Sequence, residues 1–165
     1  MDALNVVSLE QAKLWLKIDP DYDDDDSIIE SLIKAVVNQV QHYTLQILYP
    51  QVLTQYTGTC GTTKIYQYPI MSIEDVDNDG VYEPFEEFTT DNYTKVESSV
   101  SARQLVTYTA GYGWTYDMGS EVPADIITAI KEYLTYLYEN RDNEKLAMPA
   151  IVSMLLGPYR RITLF

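Results

Sequence analysis

The chain has 165 residues, enough for one domain with a core of its own or a small domain carrying an insertion. Hydrophobic residues make up 46% and charged residues 22%, the balance of a folded globular chain, and no apolar run reaches the roughly 18 residues of a membrane helix. Acidic residues number 25 against 11 basic, a formal charge of −14 that argues against ordinary nucleic-acid binding, which needs Lys and Arg to displace phosphate counterions.

Ser8-Leu9-Glu10-Gln11 opens the first predicted helix, over 8–18. Ser8 is a good N-cap and Gln11, three positions on, completes a capping box. Leu9, Ala12, Trp15 and Leu16 are expected on one apolar face, and Asp19-Pro20 ends the element. A second, longer helix is predicted over 27–47. Ser27 and Glu30 form another capping box, and Asp25 and Asp26 lie near the positive end of its dipole. Ile28, Ile29, Leu32, Ile33, Val36, Val37, Val40 and Tyr43 make a broad stripe that must be buried.

From Pro50 the pattern changes. Short runs at 51–57, 63–68, 70–76, 81–88, 93–97 and 103–110 are rich in Val, Ile, Thr, Tyr and Phe, with Gly, Asn and Asp between them. They predict a small antiparallel β-region of hairpins. Helix returns after Val122-Pro123, where Ile126, Ile127, Ile130, Tyr133, Leu134, Leu137 and Tyr138 form another wide apolar face. A last short helix is expected over 149–157, from Pro149 to a stop at Gly157-Pro158. The expected fold class is therefore α+β. About four helices, from 1–49 and 114–165, form one core, and a β-rich insertion at 50–113 lies between the second and third.

The single Cys60 excludes an internal disulfide and a cysteine-rich zinc site, and reads as a small core or turn residue. The N-terminus, Met1-Asp2-Ala3-Leu4-Asn5, has neither the basic nor the apolar region of a signal peptide, so assembly in a cytoplasm is expected. Fifteen tyrosines are many for this length; most are expected in sheet packing and core, and tyrosine is also enriched at interfaces.

Asp75, Asp77, Asp79, Gly80 and Glu86 match the calcium-loop pattern at every specified position. The flanks, Ile70 to Ile73 and Phe85 to Phe88, read as strands where a calcium loop of this type lies between helices. The segment is therefore expected to be a solvated acidic hairpin turn, with no bound metal and no cofactor. The Asp23–Asp26 run reads as helix capping and solubility. His42 is the only histidine, with no second histidine for a metal pair, and a structural or surface role is expected. Gly111-Tyr112-Gly113 lacks the third glycine and the βαβ context of a dinucleotide site; its glycines suit a turn out of a strand. No P-loop, serine elbow or zinc-protease motif is present, and no residue supports an enzyme.

The order of the landmarks is more informative than any one of them. Ser8-Leu9-Glu10-Gln11-Ala12-Lys13 leads to Leu16-Lys17-Ile18-Asp19, then to Asp23–Asp26 and Ile28 to Ala35. Tyr108-Thr109-Ala110-Gly111-Tyr112-Gly113 precedes Val122-Pro123 and Ala129-Ile130, and the chain closes on Tyr138-Glu139-Asn140-Arg141, Leu155-Leu156 and Pro158-Tyr159-Arg160-Arg161. This order resembles the head–tail connector (adaptor, or head-completion) family of long-tailed double-stranded DNA phages and prophages. The resemblance is strongest at 8–47 and 104–161 and weak in the β-insertion.

The resemblance implies a virion structural protein. Such proteins form a ring, usually of twelve copies, beneath the portal at the head–tail interface. The ring extends the DNA channel, and DNA passes through it without specific binding. The implied partners are the portal protein, further copies of this chain, and the next neck or tail-completion protein; no membrane is involved. The implied portal-docking tail is 158–165, with Tyr159, Arg160, Arg161, Ile162, Leu164 and Phe165 as its contact residues. Two other readings stand beside this one: a calcium- or carbohydrate-binding module on the Tyr-rich β-region, and an interaction subunit of a non-viral assembly.

Overall fold

The computed structural model describes residues 3–56, 62–74, 85–89, 94–98, 105–113, 121–141 and 147–161. The element order is α1 (Leu9–Leu16), α2 (Asp26–Thr44), β1 (Gln51–Tyr56), β2 (Thr62–Ile65), β3 (Ile70–Glu74), β4 (Phe85–Thr89), β5 (Thr94–Ser98), β6 (Leu105–Ala110), α3 (Ala124–Glu139) and α4 (Ala150–Leu156). A 3-10 turn precedes α1 at Ala3–Asn5, and another follows α4 at Gly157–Tyr159. The α+β class expected from the sequence is what the molecule has. It divides into two compact units: 1–44 with 121–160, and 45–120 with 161–165.

The first unit is helical. Ser8 caps α1 as expected, its hydroxyl oxygen accepting the Gln11 N–H at 3.2 Å. The inner face of α1 differs from the expectation. Ala12 and Lys13 are buried there, with Leu9 and Leu16 half-buried, while Trp15 is 41% exposed. At 3.6 residues per turn, residues 9, 12, 13 and 16 fall within about 100° of one another, and residue 15 lies about 60° beyond the Ala12 edge of that arc. Lys17, in the left-handed conformation with φ 59°, ends the helix; the Ile18 N–H bonds the Lys13 carbonyl at 2.9 Å.

Helix α2 is entered earlier than the Ser27 capping box implies. The Ile28 and Ile29 N–H groups both bond the Asp25 carbonyl, and Ser27 lies inside the first turn, where its carbonyl accepts the Ser31 hydroxyl at 2.8 Å. Ile29, Ile33, Val36, Val37 and Val40 are fully buried, so the expected stripe forms the helical core. From α3 it meets Ile126, Ala129, Ile130, Tyr133 and Leu134, and from α4 Val152 and Leu156. Pro123 precedes α3, and its carbonyl accepts the Ile126 and Ile127 N–H groups.

The second unit holds two three-stranded antiparallel sheets, ordered β1-β6-β3 and β2-β5-β4. Each of the six runs read as strands contains a strand among the described residues, but the expectation of hairpins is corrected. Only β4 and β5 pair with a sequence neighbour; β1 and β3 both pair with β6, and β2 pairs with β5. β6 alternates inward Val106, Tyr108 and Ala110 with half-buried residues, and these pack with Ile65 and with Ile47, Leu53, Ile70 and Ile73. An extra residue, Met71, interrupts the β3–β6 register between Ile70 and Ser72. Between the sheets, the Gln55 side-chain amide donates to Thr63 Oγ1 at 2.7 Å and to the Lys64 carbonyl at 3.2 Å.

Candidate functional site

The C-terminal residues proposed for docking start with a geometry the sequence did not suggest. Gly157 is right-handed (φ −52°, ψ −46°) and Pro158 sits inside the 3-10 turn, so α4 continues one further turn where a stop was expected. The Tyr159 hydroxyl donates to Asp125 Oδ2 at 3.0 Å, and that bond is the main cause that raises its pKa above 10.0. The Arg160 guanidinium lies 5.3 Å from the Tyr43 ring centroid, and that of Arg161 lies 4.0 Å from the Tyr68 ring centroid. Tyr159, Arg160 and Arg161 are thus each held by groups of their own chain. Ile162, Leu164 and Phe165 lie outside the described residues.

The acidic run divides by role. Asp26 Oδ1 is 2.6 Å from the ammonium of Lys13, which is buried and also donates to the Pro20 carbonyl at 3.2 Å. This pair ties α1 to the start of α2. Asp25 Oδ2 accepts the Tyr138 hydroxyl at 2.5 Å, and its Oδ1 is 3.6 Å from the Arg141 guanidinium. Arg141 also stacks 4.3 Å from the Tyr138 ring centroid. The bond to Asp25, followed by burial and the carboxylate charge, raises the Tyr138 pKa. Asp23 and Asp24 are exposed. The run therefore combines two structural carboxylates with two solvated ones, where the sequence reading gave capping and solubility.

Asp75, Asp77 and Asp79 lie outside the described residues, and Glu86 falls in β4. The flanking elements are strands, as expected, but β3 and β4 belong to different sheets, so they do not form a hairpin with each other. Among the described residues no group of three or more His, Cys, Asp or Glu could hold a metal ion, and no helix is long and apolar enough to cross a membrane. Cys60 is outside the described residues, and His42 is exposed on α2.

Gly111 is required by close backbone approach, and Gly113 by the ring of Pro50. Gly111 has φ +131°, and a Cβ there would stand 2.3 Å from the Tyr49 carbonyl oxygen. A Cβ on Gly113 would stand 2.5 Å from Pro50 Cγ. The Gly111 N–H bonds the Pro69 carbonyl at 2.7 Å, and the Tyr112 hydroxyl donates to the buried Gln46 Oε1, also at 2.7 Å. The Gly-Tyr-Gly segment thus locks the end of β6 against the chain entering β1.

One surface was missed in the sequence. On the outer face of α1, Leu14 is 79% exposed beside the half-exposed Trp15, and the Lys131 ammonium from α3 lies 5.5 Å from the Trp15 ring centroid. With Gln11 and Lys17 they line an open groove of about 410 Å³. The signal was partial: on a regular helix Leu14 lies about 100° beyond Lys13, outside the 9, 12, 13, 16 face, and Trp15 about 60° beyond Ala12.

Residues 6–76 match the phage gp6-like head-tail connector protein family. The resemblance read from the order of landmarks is borne out over that span. Solved structures carry the likeness across the whole fold. A chain from the neck of an empty gene transfer agent (GTA) particle, with C6 symmetry, has TM-score 0.70 at 16% identity, covering 98% of this chain and 92% of that one. A chain from the virion of a native GTA particle has TM-score 0.72 at 17% identity, covering 100% and 94%. A third, from the neck of a native GTA particle with C12 symmetry, has TM-score 0.61 at 18% identity, covering 97% and 93%. These show that the chain is similar in fold to components of such particles. No curated protein matches the chain significantly.

Proposed function

We propose that this protein is a virion structural component, a head–tail connector that forms a ring in the neck and joins capsid to tail. The observation that carries the reading is the match of residues 6–76 to gp6-like head-tail connectors. The fold supports it, because the whole chain is similar to chains from particle necks with sixfold and twelvefold symmetry. The matched family and solved relatives are structural components of particles, and the reading is not that of an enzyme.

The ring encloses the path of DNA, and twelve copies is the number the resemblance favours. A charge of −14 per chain suits a channel wall, since carboxylates repel phosphate and let the duplex slide without adhering. The partners in this reading are the portal on one side and the next neck or tail-completion protein on the other. Because Tyr159, Arg160 and Arg161 rest on their own chain, we assign portal attachment chiefly to Ile162, Leu164 and Phe165, with Arg160 and Arg161 as flanking charges.

Particles assembled without this protein test the reading. The expected result is filled heads and separate tails, joined again when the protein is supplied. Intact, tailed particles in its absence would overturn it.

A further inference from the structure

The groove on the outer face of α1 sets exposed apolar side chains beside two lysines. Its floor is apolar, Leu14 and Trp15, and two of the chain's 11 basic residues, Lys17 and Lys131, stand at its rim. An occupant matched to it carries an apolar or aromatic group between carboxylates.

The same molecule exposes that chemistry between α1 and α2. In Asp21-Tyr22-Asp23-Asp24 all four residues are exposed, Tyr22 by 44%. The loop has a defined shape: the Asp21 N–H bonds Asp19 Oδ1 at 3.0 Å, and the Tyr22 N–H bonds the Asp19 carbonyl at 3.1 Å. Lys13, on the inner face of α1, holds the Pro20 carbonyl and Asp26, whereas Trp15 lies about 200° round the helix from Lys13. The loop is thus tethered at Lys13, on the opposite side of α1 from Trp15.

We propose that the groove of one copy receives the Asp21–Asp24 loop of a neighbouring copy. Tyr22 lies on the Leu14–Trp15 floor, and the carboxylates of Asp23 and Asp24 meet Lys17 and Lys131. The inference rests on the connector reading and names one contact of its ring. A contact between two different surfaces is head-to-tail, the kind that closes into a ring when the rotation between copies closes. An aromatic anchor at the centre supplies affinity, and the rim charges set register.

Charge exchange tests the contact in assembled particles, read as copies of this protein per purified particle. Lys17→Glu with Lys131→Glu, and separately Asp23→Lys with Asp24→Lys, are each expected to lower occupancy about tenfold. All four substitutions together are expected to restore it. Melting curves establish that each variant folds. A second measurement stands even where a charge variant does not fold: Leu14→Cys with Tyr22→Cys, in a Cys60→Ser background, is expected to give a ladder of disulfide-linked copies on oxidation of particles. Normal occupancy of both charge-reversed variants, no recovery in the combined one, or no ladder would overturn the inference. If the wild-type ring is present in those particles, the connector reading survives that failure. If the wild-type chain forms no ring in particles, both fall.

Discussion

The hydroxyl of Tyr138, near the end of α3, donates to the carboxylate of Asp25, at the entrance to α2, over 2.5 Å. The two residues are 113 positions apart, and Arg141 joins them by pairing with the carboxylate and stacking on the ring. One acidic residue thus ties the start of α2 to the end of α3. Tyr138→Phe is expected to cost about 1 kcal/mol in chemical denaturation, since the bond is charge-assisted but only part-buried. Asp25→Ala should cost more, because both Tyr138 and Arg141 lose their partner. Equal stability of all three proteins would contradict this.

Lys13 and Asp26 make a second such closure with different physics. The lysine side chain is 7% exposed and the aspartate 30%, so removing the aspartate strands a buried ammonium. Asp26→Ala is expected to cost about 2–3 kcal/mol, discounted for the partial exposure of the carboxylate. Lys13→Met combined with Asp26→Leu should recover much of that loss, because it leaves no buried charge unpaired. Urea titrations of the single and double variants read the difference.

Two glycines separate a required residue from a replaceable one. Gly111→Ala places a methyl 2.3 Å from the Tyr49 carbonyl oxygen at φ +131°, and should cost at least about 2 kcal/mol. Gly157→Ala meets nothing within 4 Å and keeps a helical φ of −52°, so a gain of about 0.5 kcal/mol is expected. Thermal melts of the two variants should move in opposite directions.

The contrast between these glycines shows where the sequence was legible. Stripes such as Ile29, Ile33, Val36 and Val40, and the six short β-rich runs, located the elements, because periodicity is a local signal. Pairing was not legible: β1 and β3 both add to β6, and no turn residue encodes a partner as remote as Ala110 is from Gln51 or Ile70. The same limit hid the roles of Asp25 and Asp26, whose capping signal was local while Tyr138 and Arg141 are remote. Lys13 was missed on α1 because hydrophobicity ranks Trp15 above it; the two flank the Leu9–Ala12–Leu16 face at similar angles, and it is Lys13 that finds buried partners in Asp26 and the Pro20 carbonyl. Gly157-Pro158 read as a stop because that pair usually ends a helix, yet proline is tolerated in the first positions of a new turn. In the C-terminal segment the partners of Tyr159, Arg160 and Arg161, which are Asp125, Tyr43 and Tyr68, are remote in sequence and left no local signal.

Alkaline stability follows from the buried tyrosines. Burial raises the pKa of Tyr108 above 10.0, burial chiefly raises that of Tyr133, and the bond to Asp25 chiefly raises that of Tyr138. The folded protein therefore keeps protons that the unfolded chain releases first. Stability from these groups is complete below the ordinary value of 10.0, declines as pH rises past it, and is lost through the folded values. Melting temperature should fall steadily above about pH 10. A flat profile through that range would contradict the shared upward shift.

The central claim is a place in a particle, and symmetry-resolved electron imaging of intact particles tests it most directly. A ring of this chain at the head–tail neck, with its fold fitting the density beneath the portal, is the result expected. Density for this chain on the capsid shell or the tail fibres would contradict the account.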